Sequence, residues 1–161
     1  MAGVRAYRMK DVLSVSICGN ILRMKAIQVS QVGGPEALTL VDLPVPSPKP
    51  NEAVVQIKAT GVNFIDVYFR EGRYPASLPF VNGQEAAGVV TDVGGEVKLV
   101  KRGDRVAYTS ALGSYAEYAA VPENRLVKIP DELDFEQAAA GDAARHDGAL
   151  SFAQHVQTAK R

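Results

Sequence analysis

The sequence predicts a mainly β fold, a partly open barrel with a few short helices, and three observations carry that reading. Short apolar runs with β-type alternation recur between Lys25 and Lys128. Glycine and proline punctuate nearly every gap between them. No internal repeat and no alternation of strand and helix patterns runs through the chain, so neither a solenoid nor a doubly wound parallel sheet is expected.

The first strand is expected over Lys25-Ala26-Ile27-Gln28-Val29, where polar and apolar residues alternate. Gly33-Gly34-Pro35 marks a turn before a second strand, Ala37-Leu38-Thr39-Leu40-Val41. Pro44, Pro46, Pro48 and Pro50 cannot sit in a central strand and read as an exposed extended loop. A strong strand candidate follows over Glu52–Thr60. Asn63 is placed to cap a short helix through Arg70, with Phe64, Ile65, Val67 and Tyr68 as its apolar contacts. Strands are then expected at Ala87–Val90, Arg105–Tyr108, Tyr115–Ala119 and Arg125–Lys128, with Gly94-Gly95, Gly103-Asp104, Gly113 and Pro122 as turn formers between them. Asp134 reads as the cap of a helix entering Phe135–Ala140.

The 161 residues, 47% of them apolar, suffice for one ordinary domain core. Eighteen Lys/Arg against eighteen Asp/Glu create no net field that favours nucleic acid or a membrane surface, and neither is expected as a partner. No apolar run reaches the length of a bilayer-crossing helix. A single cysteine excludes a disulfide within the chain.

This balance conceals three unlike pieces. Residues 1–23 hold four basic groups against Asp11, residues 24–140 hold eleven against fifteen acidic groups, and residues 141–161 hold three against two. Cys18 lies in the first piece, and His146 and His155 lie in the last. The body therefore contains neither cysteine nor histidine. Zinc sites need these residues in almost every arrangement, as does thiol or Ser-His nucleophilic catalysis. No spaced Asp/Asn loop of the EF-hand kind offers a calcium site instead. No metal site is expected.

Three motifs occur in order: Gly61-Val62-Asn63-Phe64-Ile65-Asp66-Val67-Tyr68 followed by Gly72-Arg73-Tyr74-Pro75, then Gly83-Gln84-Glu85-Ala86-Ala87-Gly88-Val89-Val90, then Gly103-Asp104-Arg105-Val106. With Gly33-Gly34-Pro35-Glu36, they resemble the zinc-independent quinone oxidoreductases, the zeta-crystallin branch of the medium-chain dehydrogenase/reductase superfamily. The resemblance runs from Met24 to about Ala140. It implies a GroES-like barrel joined, in the full-length family, to a Rossmann domain, with NADPH and a quinone between them. In zinc-dependent relatives the second motif reads Gly-His-Glu, the histidine binding metal; Gln84 stands at that place here, and Asn63 stands in the region of a cysteine ligand.

The resemblance places Asn63, Tyr68 and Tyr74 at the cofactor and substrate cleft. It implies a cofactor-binding role for Asn63, whose amide can fix a carboxamide or ribose, and catalytic positions for Tyr68 and Tyr74. A tyrosine offers a ring for contact with nicotinamide or quinone and a hydroxyl to position an oxygen. Each also has a structural reading: Asn63 as a helix cap, Tyr68 as core and Tyr74 as loop packing. Asp66 reads as loop support, and Glu85 as a group that pairs with a neighbour or orients cleft residues. Gly94-Gly95 is not a dinucleotide fingerprint, because no Gly-x-Gly-x-x-Gly opening a helix follows it. The Rossmann domain is thus not expected within this sequence, and the chain is expected to be inactive alone and to lack the family's homodimer. The alternatives are a free-standing GroES-like binding or assembly module, and an alkene or enoyl thioester reductase on the same scaffold. No targeting pattern is convincing, and a cytoplasmic location is expected.

The two ends depart from this body. Residues 1–23 are basic, with an interrupted apolar stretch over Val12–Ile17 too weak for a signal peptide. They read as an upstream extension outside the fold, with Met24 the working initiator, or alternatively as an Arg-containing transit segment. At the other end, the resemblance implies a continuation like Ala-Met-Leu-x-Gly-Met-Thr-Ala-His-Tyr-Leu-Leu-x-Ser-Thr-Tyr, and Gly141-Asp142-Ala143-Ala144-Arg145-His146 lacks it. Asp and His codons end in A-pyrimidine, so a following G-initial codon forces Met or Thr when the frame moves by one base. This occurs at Asp142/Ala143, His146/Asp147, Asp147/Gly148 and His155/Val156, which coincide with Met, Met, Thr and Thr of the family pattern. Residues 141–161 are therefore expected to be the product of a shifted frame, with no role for His146 or His155. Nucleotide sequencing across codons 138–161 and beyond checks this: removing one base near codon 141 should open a longer frame carrying a Gly-rich nucleotide loop, and an early stop codon in that frame would contradict it.

Overall fold

The computed structural model describes residues 22–140; the expectations for Cys18 and most of the N-terminal extension, and for the tail with His146 and His155, lie outside the described residues. Two antiparallel sheets carry the fold. The smaller has the order β2-β1-β4, from β1 (Arg23–Val29), β2 (Leu38–Pro44) and β4 (Phe80–Val81). The larger has the order β7-β3-β5-β6-β8, from β3 (Glu52–Gly61), β5 (Glu85–Val93), β6 (Arg105–Tyr108), β7 (Tyr118–Pro122) and β8 (Leu126–Lys128). Helix α1 (Phe64–Arg70) follows β3, and α2 (Phe135–Ala140) follows β8. The sheets remain open, as the sequence predicts, and do not close into one barrel.

Strand alternation divides the core. On β5 and β6, Ala86, Val106 and Tyr108 enter one apolar cluster with Ala53, Val55, Val90 and Val121. Their neighbours Ala87 and Ala107 face the other way, against Ile129, Ala138 and Ala139. The small residues under α2 let the helix lie close to the sheet. Its start is capped reciprocally: Asp134 Oδ1 accepts the Gln137 N–H at 2.6 Å, and Gln137 Oε1 accepts the Asp134 N–H at 3.3 Å.

Four segments differ from the sequence reading. The strand expected at Tyr115–Ala119 begins only at Tyr118, because the preceding residues are used to join the sheets. Ile27 N–H donates to the Tyr115 carbonyl at 2.8 Å, Glu117 N–H to the Lys25 carbonyl at 3.1 Å, and Ile57 N–H to the Glu117 carbonyl at 2.9 Å. Ala26 and Ala116 form an isolated bridge at this crossing. Pro44, read as loop, is the last residue of β2, paired with Arg23. As β2 is an edge strand, its missing N–H breaks no interior ladder. β1 likewise starts at Arg23, whose guanidinium donates to the Asp42 carbonyl at 2.6 Å. The two-residue strand β4, too short for any periodic signal, is absent from the sequence reading.

Gly88 of β5 pairs with Ile57 of β3. A Cβ there would overlap the Gln56 carbonyl oxygen and stand 2.9 Å from both the Gln56 carbonyl carbon and Val55 Cγ1. Backbone at the centre of a five-stranded sheet yields little. Gly88→Ala should therefore destabilise the domain by about 2–3 kcal/mol, measured by denaturant unfolding; a change under about 0.5 kcal/mol, within ordinary surface scatter, would show that the strands part freely.

Candidate functional site

The ends of β3 and β5 lie side by side, with Gly61 paired to Glu85, and the chain leaves β3 directly into α1. Asn63 occupies the N-cap of α1 in extended backbone. Its N–H donates to Asp66 Oδ2 at 2.8 Å, so the third helical residue supplies one half of a capping box. The Asn63 side chain faces the Asp66 backbone in return, completing the box, and its Nδ2 donates to Glu85 Oε2 at 2.6 Å. The structural reading of Asn63 as a cap and its placement at the site thus both apply to one residue.

Asp66 is 3% exposed and ties α1 to the rest of the fold. Its Oδ2 also accepts the Tyr115 hydroxyl at 2.7 Å, and its backbone carbonyl accepts Asn82 Nδ2 at 3.2 Å. Tyr115 and Asn82 are themselves joined, Tyr115 N–H donating to the Asn82 carbonyl at 2.9 Å. Gly83 permits this crossing: its φ is +82°, and a Cβ would run into Ser114 Oγ and the Tyr115 ring. Burial first, then the bond to Asp66, pushes the Tyr115 hydroxyl far above the ordinary tyrosine range.

Glu85 is also buried. Thr60 Oγ1 donates to its carbonyl at 2.9 Å, and its N–H donates to Ser114 Oγ at 3.3 Å. Burial pushes its carboxyl above the ordinary glutamate value; the Asn63 hydrogen bond opposes this, and the nearby Asp66 charge adds to it. A folded-state value above the unfolded one makes the ionised form costly. This contribution to stability is therefore lost as pH rises from the ordinary glutamate value through the elevated one.

Tyr68 and Tyr74 meet on the outer side of α1. Their ring centroids are 5.8 Å apart, and Tyr74 also packs 5.5 Å from Phe69. The chain turns back after the helix, so that the N–H groups of Arg73 and Tyr74 donate to the Tyr68 carbonyl at 2.8 and 3.3 Å. The Arg73 guanidinium lies 5.4 Å from the Tyr68 ring centre and pairs with Glu71 at 2.9 Å. Tyr74 is 45% exposed; Val62 and Phe64, beside Asn63 in sequence, are 82% and 78% exposed. Asn63 caps the helix that carries Tyr68 in its second turn, about 7–8 Å further along the axis. Phe64 packs on Tyr68 with ring centroids 6.0 Å apart, so a largely apolar lip runs from Phe64 through Tyr68 to Tyr74, with Asn63 at the head of the same helix.

Gln84 is nearly buried, and its Nε2 has no hydrogen-bond partner among the described residues. No group of three His, Cys, Asp or Glu side chains suited to a metal ion occurs among the described residues. Sequence reasoning missed Tyr115, Asn82 and Ser114. The first lies 49 residues from Asp66, and no local pattern announces such a bond. Tyr115→Phe would leave Asp66, whose Oδ1 already lacks a partner, with one donor fewer. The expected cost is about 1–3 kcal/mol of unfolding free energy, read from denaturant melts; a variant within about 0.5 kcal/mol of the parent would show that the hydroxyl does not hold the helix.

Residues 49–131 match the alcohol dehydrogenase GroES-like domain family. The chain is 51% identical over 118 residues to the quinone oxidoreductase of Pseudomonas aeruginosa, a match covering 72% of this chain and 36% of that protein. The crystal structure of the Pseudomonas syringae pv. tomato DC3000 quinone oxidoreductase is similar at 53% identity and a TM-score of 0.70, over 72% of this chain and 36% of that one. Escherichia coli quinone oxidoreductase, solved in complex with NADPH, is similar at 45% identity and a TM-score of 0.70, over 73% and 36%. The chain thus spans about a third of the length of the curated relatives it matches. The fold, the order of its motifs and these similarities agree: the chain belongs to the alcohol dehydrogenase GroES-like domain family, and its matched part is similar to the corresponding part of quinone oxidoreductases.

Proposed function

We propose that this chain supplies the substrate-side wall of an NADPH-dependent quinone reductase and does not turn over alone. The observation that carries this reading is the lip itself, with Asn63 at the head of α1 and the Tyr68–Tyr74 pair beside it. Planar rings pack well on tilted aromatic faces, and a quinone and a nicotinamide are both planar. The exposed Tyr74 hydroxyl is a donor for a carbonyl oxygen. These residues fit the two partners, whereas their donor chemistry does not fit zinc, since residues 24–140 hold no thiol or imidazole.

NADPH, when bound, supplies the hydride. The residues of this chain bind and orient. Asn63 holds the cofactor's carboxamide or ribose, Tyr68 backs the reacting ring, and the Tyr74 hydroxyl fixes an acceptor oxygen. Val62 and Phe64, covered by the cofactor-bearing domain, keep water from the reacting atoms. Reaction needs that second domain, because a wall that only positions groups has no reductant of its own.

The test is a fusion of residues 24–140 to the nucleotide-binding part of the Pseudomonas aeruginosa relative. It should bind NADPH, reduce a simple benzoquinone and retain no stoichiometric zinc after chelator dialysis. Tyr74→Phe in the fusion should lower kcat about tenfold, about 1.4 kcal/mol, with the melting point nearly unchanged. The unfused 161-residue chain should show no turnover. Quinone reduction by the unfused chain, or a folded NADPH-binding fusion that reduces only enoyl thioesters, would overturn the reading.

A further inference from the structure

We propose that Glu85 is the positioning residue for Asn63: its carboxyl group fixes the direction of the Asn63 carboxamide and so decides which end of that amide the lip presents. This deepens the reading above, on which Asn63 meets the cofactor, and takes its functional meaning from it.

An ionised carboxylate has only acceptor sites, whereas a primary amide has a donor end and an acceptor end. With Glu85 Oε2 at 2.6 Å, only the Nδ2 end of Asn63 can face it, and the amide oxygen is turned away. A protonated carboxyl can donate as well as accept. It no longer discriminates between the two ends, and the orientation then rests on the Asp66 N–H that faces the Asn63 side chain in the capping box alone. Protonation of Glu85 therefore weakens the orientation without removing either side chain.

The surroundings are built to hold the carboxyl in this one place. Glu85 is 5% exposed, and its backbone is tied on both sides by Thr60 and Ser114. Gly61, its partner across the strands, leaves the space that the carboxyl fills. A Cβ on Gly61 would overlap Glu85 Oε2 and stand 2.9 Å from Cδ and 3.0 Å from Cγ. The backbone φ of Gly61 is not in the left-handed region, so alanine there meets a steric conflict with the Glu85 side chain and no backbone strain.

The charged and titratable groups around Glu85 make the orientation sensitive to pH. From α1, the neighbouring charge is Asp66, which also bonds the Tyr115 hydroxyl. β3 and the segment before β7 contribute the neutral groups Thr60, Gly61 and Ser114. No cation lies within ion-pair distance of Glu85 among the described residues. Burial and Asp66 together place protonation above the ordinary glutamate range.

Nitrogen–proton NMR of the full chain from about pH 4 to about pH 8, a window spanning the ordinary and raised carboxyl ranges, tests this directly. The Asn63 side-chain amide signals, identified by their loss in Asn63→Ser, should follow one titration step centred above the ordinary glutamate value. Glu85→Gln should abolish the step. Gly61→Ala, which pushes the carboxyl aside, should abolish or displace it while the backbone spectrum stays native. A merely structural Glu85 would change the melting point and leave the Asn63 amide untouched. The proposal is overturned if no step is seen in the parent chain, if it survives in Glu85→Gln, or if Gly61→Ala leaves it in place. A fusion that fails to bind NADPH with the step intact would strike the functional reading alone; loss of the step with NADPH binding intact would strike the positioning role alone.

Discussion

One buried carboxyl group, that of Asp66, sets the position of everything on the lip. It closes the cap of α1 through the Asn63 N–H and accepts the Tyr115 hydroxyl from the segment that joins the two sheets. A seven-residue helix is too short to be stable in water by itself. What holds α1 is therefore tertiary contact, and much of it passes through this side chain. The Asn82 amide adds a second tie, to the Asp66 carbonyl. Arg70 at the other end of α1 is also buried, and its carbonyl accepts the Gly33 N–H at 3.0 Å. The helix is thus fixed at its head to Glu85 of β5 and to the segments holding Asn82 and Tyr115, and at its other end to the loop after β1.

Fixing the helix fixes the chemistry it carries. Asn63 and Tyr68 ride on α1, and Tyr74 is folded back onto Tyr68 by hydrogen bonds to the Tyr68 carbonyl. A site that positions a planar cofactor gains from side chains held before binding, since little ordering remains to be done when the ligand arrives. Val62 and Phe64, on either side of the cap residue, stay exposed. Large apolar side chains clustered at a solvent-facing lip mark a surface that meets something else.

The fold was largely legible because its signals are local. Alternation in Lys25–Val29 and the apolar runs in Glu52–Thr60 and Arg105–Tyr108 report real strands, the last buried on both faces, and Asn63 and Asp134 are caps read from residue type and position alone. Non-local relations were not legible. Tyr115 lies in an alternating run and looks like strand, yet its backbone serves the sheet crossing and its hydroxyl serves a carboxyl 49 residues away. Pro44 likewise looks like a strand breaker until its edge position is known. At the site, motif resemblance indicates Asn63, Tyr68 and Tyr74, while residue chemistry alone leaves Glu85 and Asp66 unassigned. Their parts become visible only when Gly61, Asn63 and Ser114 surround them in space.

On the function proposed above, the head of α1 receives the nicotinamide, with Asn63 in contact and the tyrosine pair beside it. An experimental structure of the fused protein with NADPH measures this directly. The account predicts the nicotinamide carboxamide or its ribose within hydrogen-bond distance of the Asn63 side chain, and the ring edge beside Tyr68 and Tyr74. A well-occupied NADPH whose nicotinamide lies away from this lip, with Asn63 bonded only to Glu85, would contradict it.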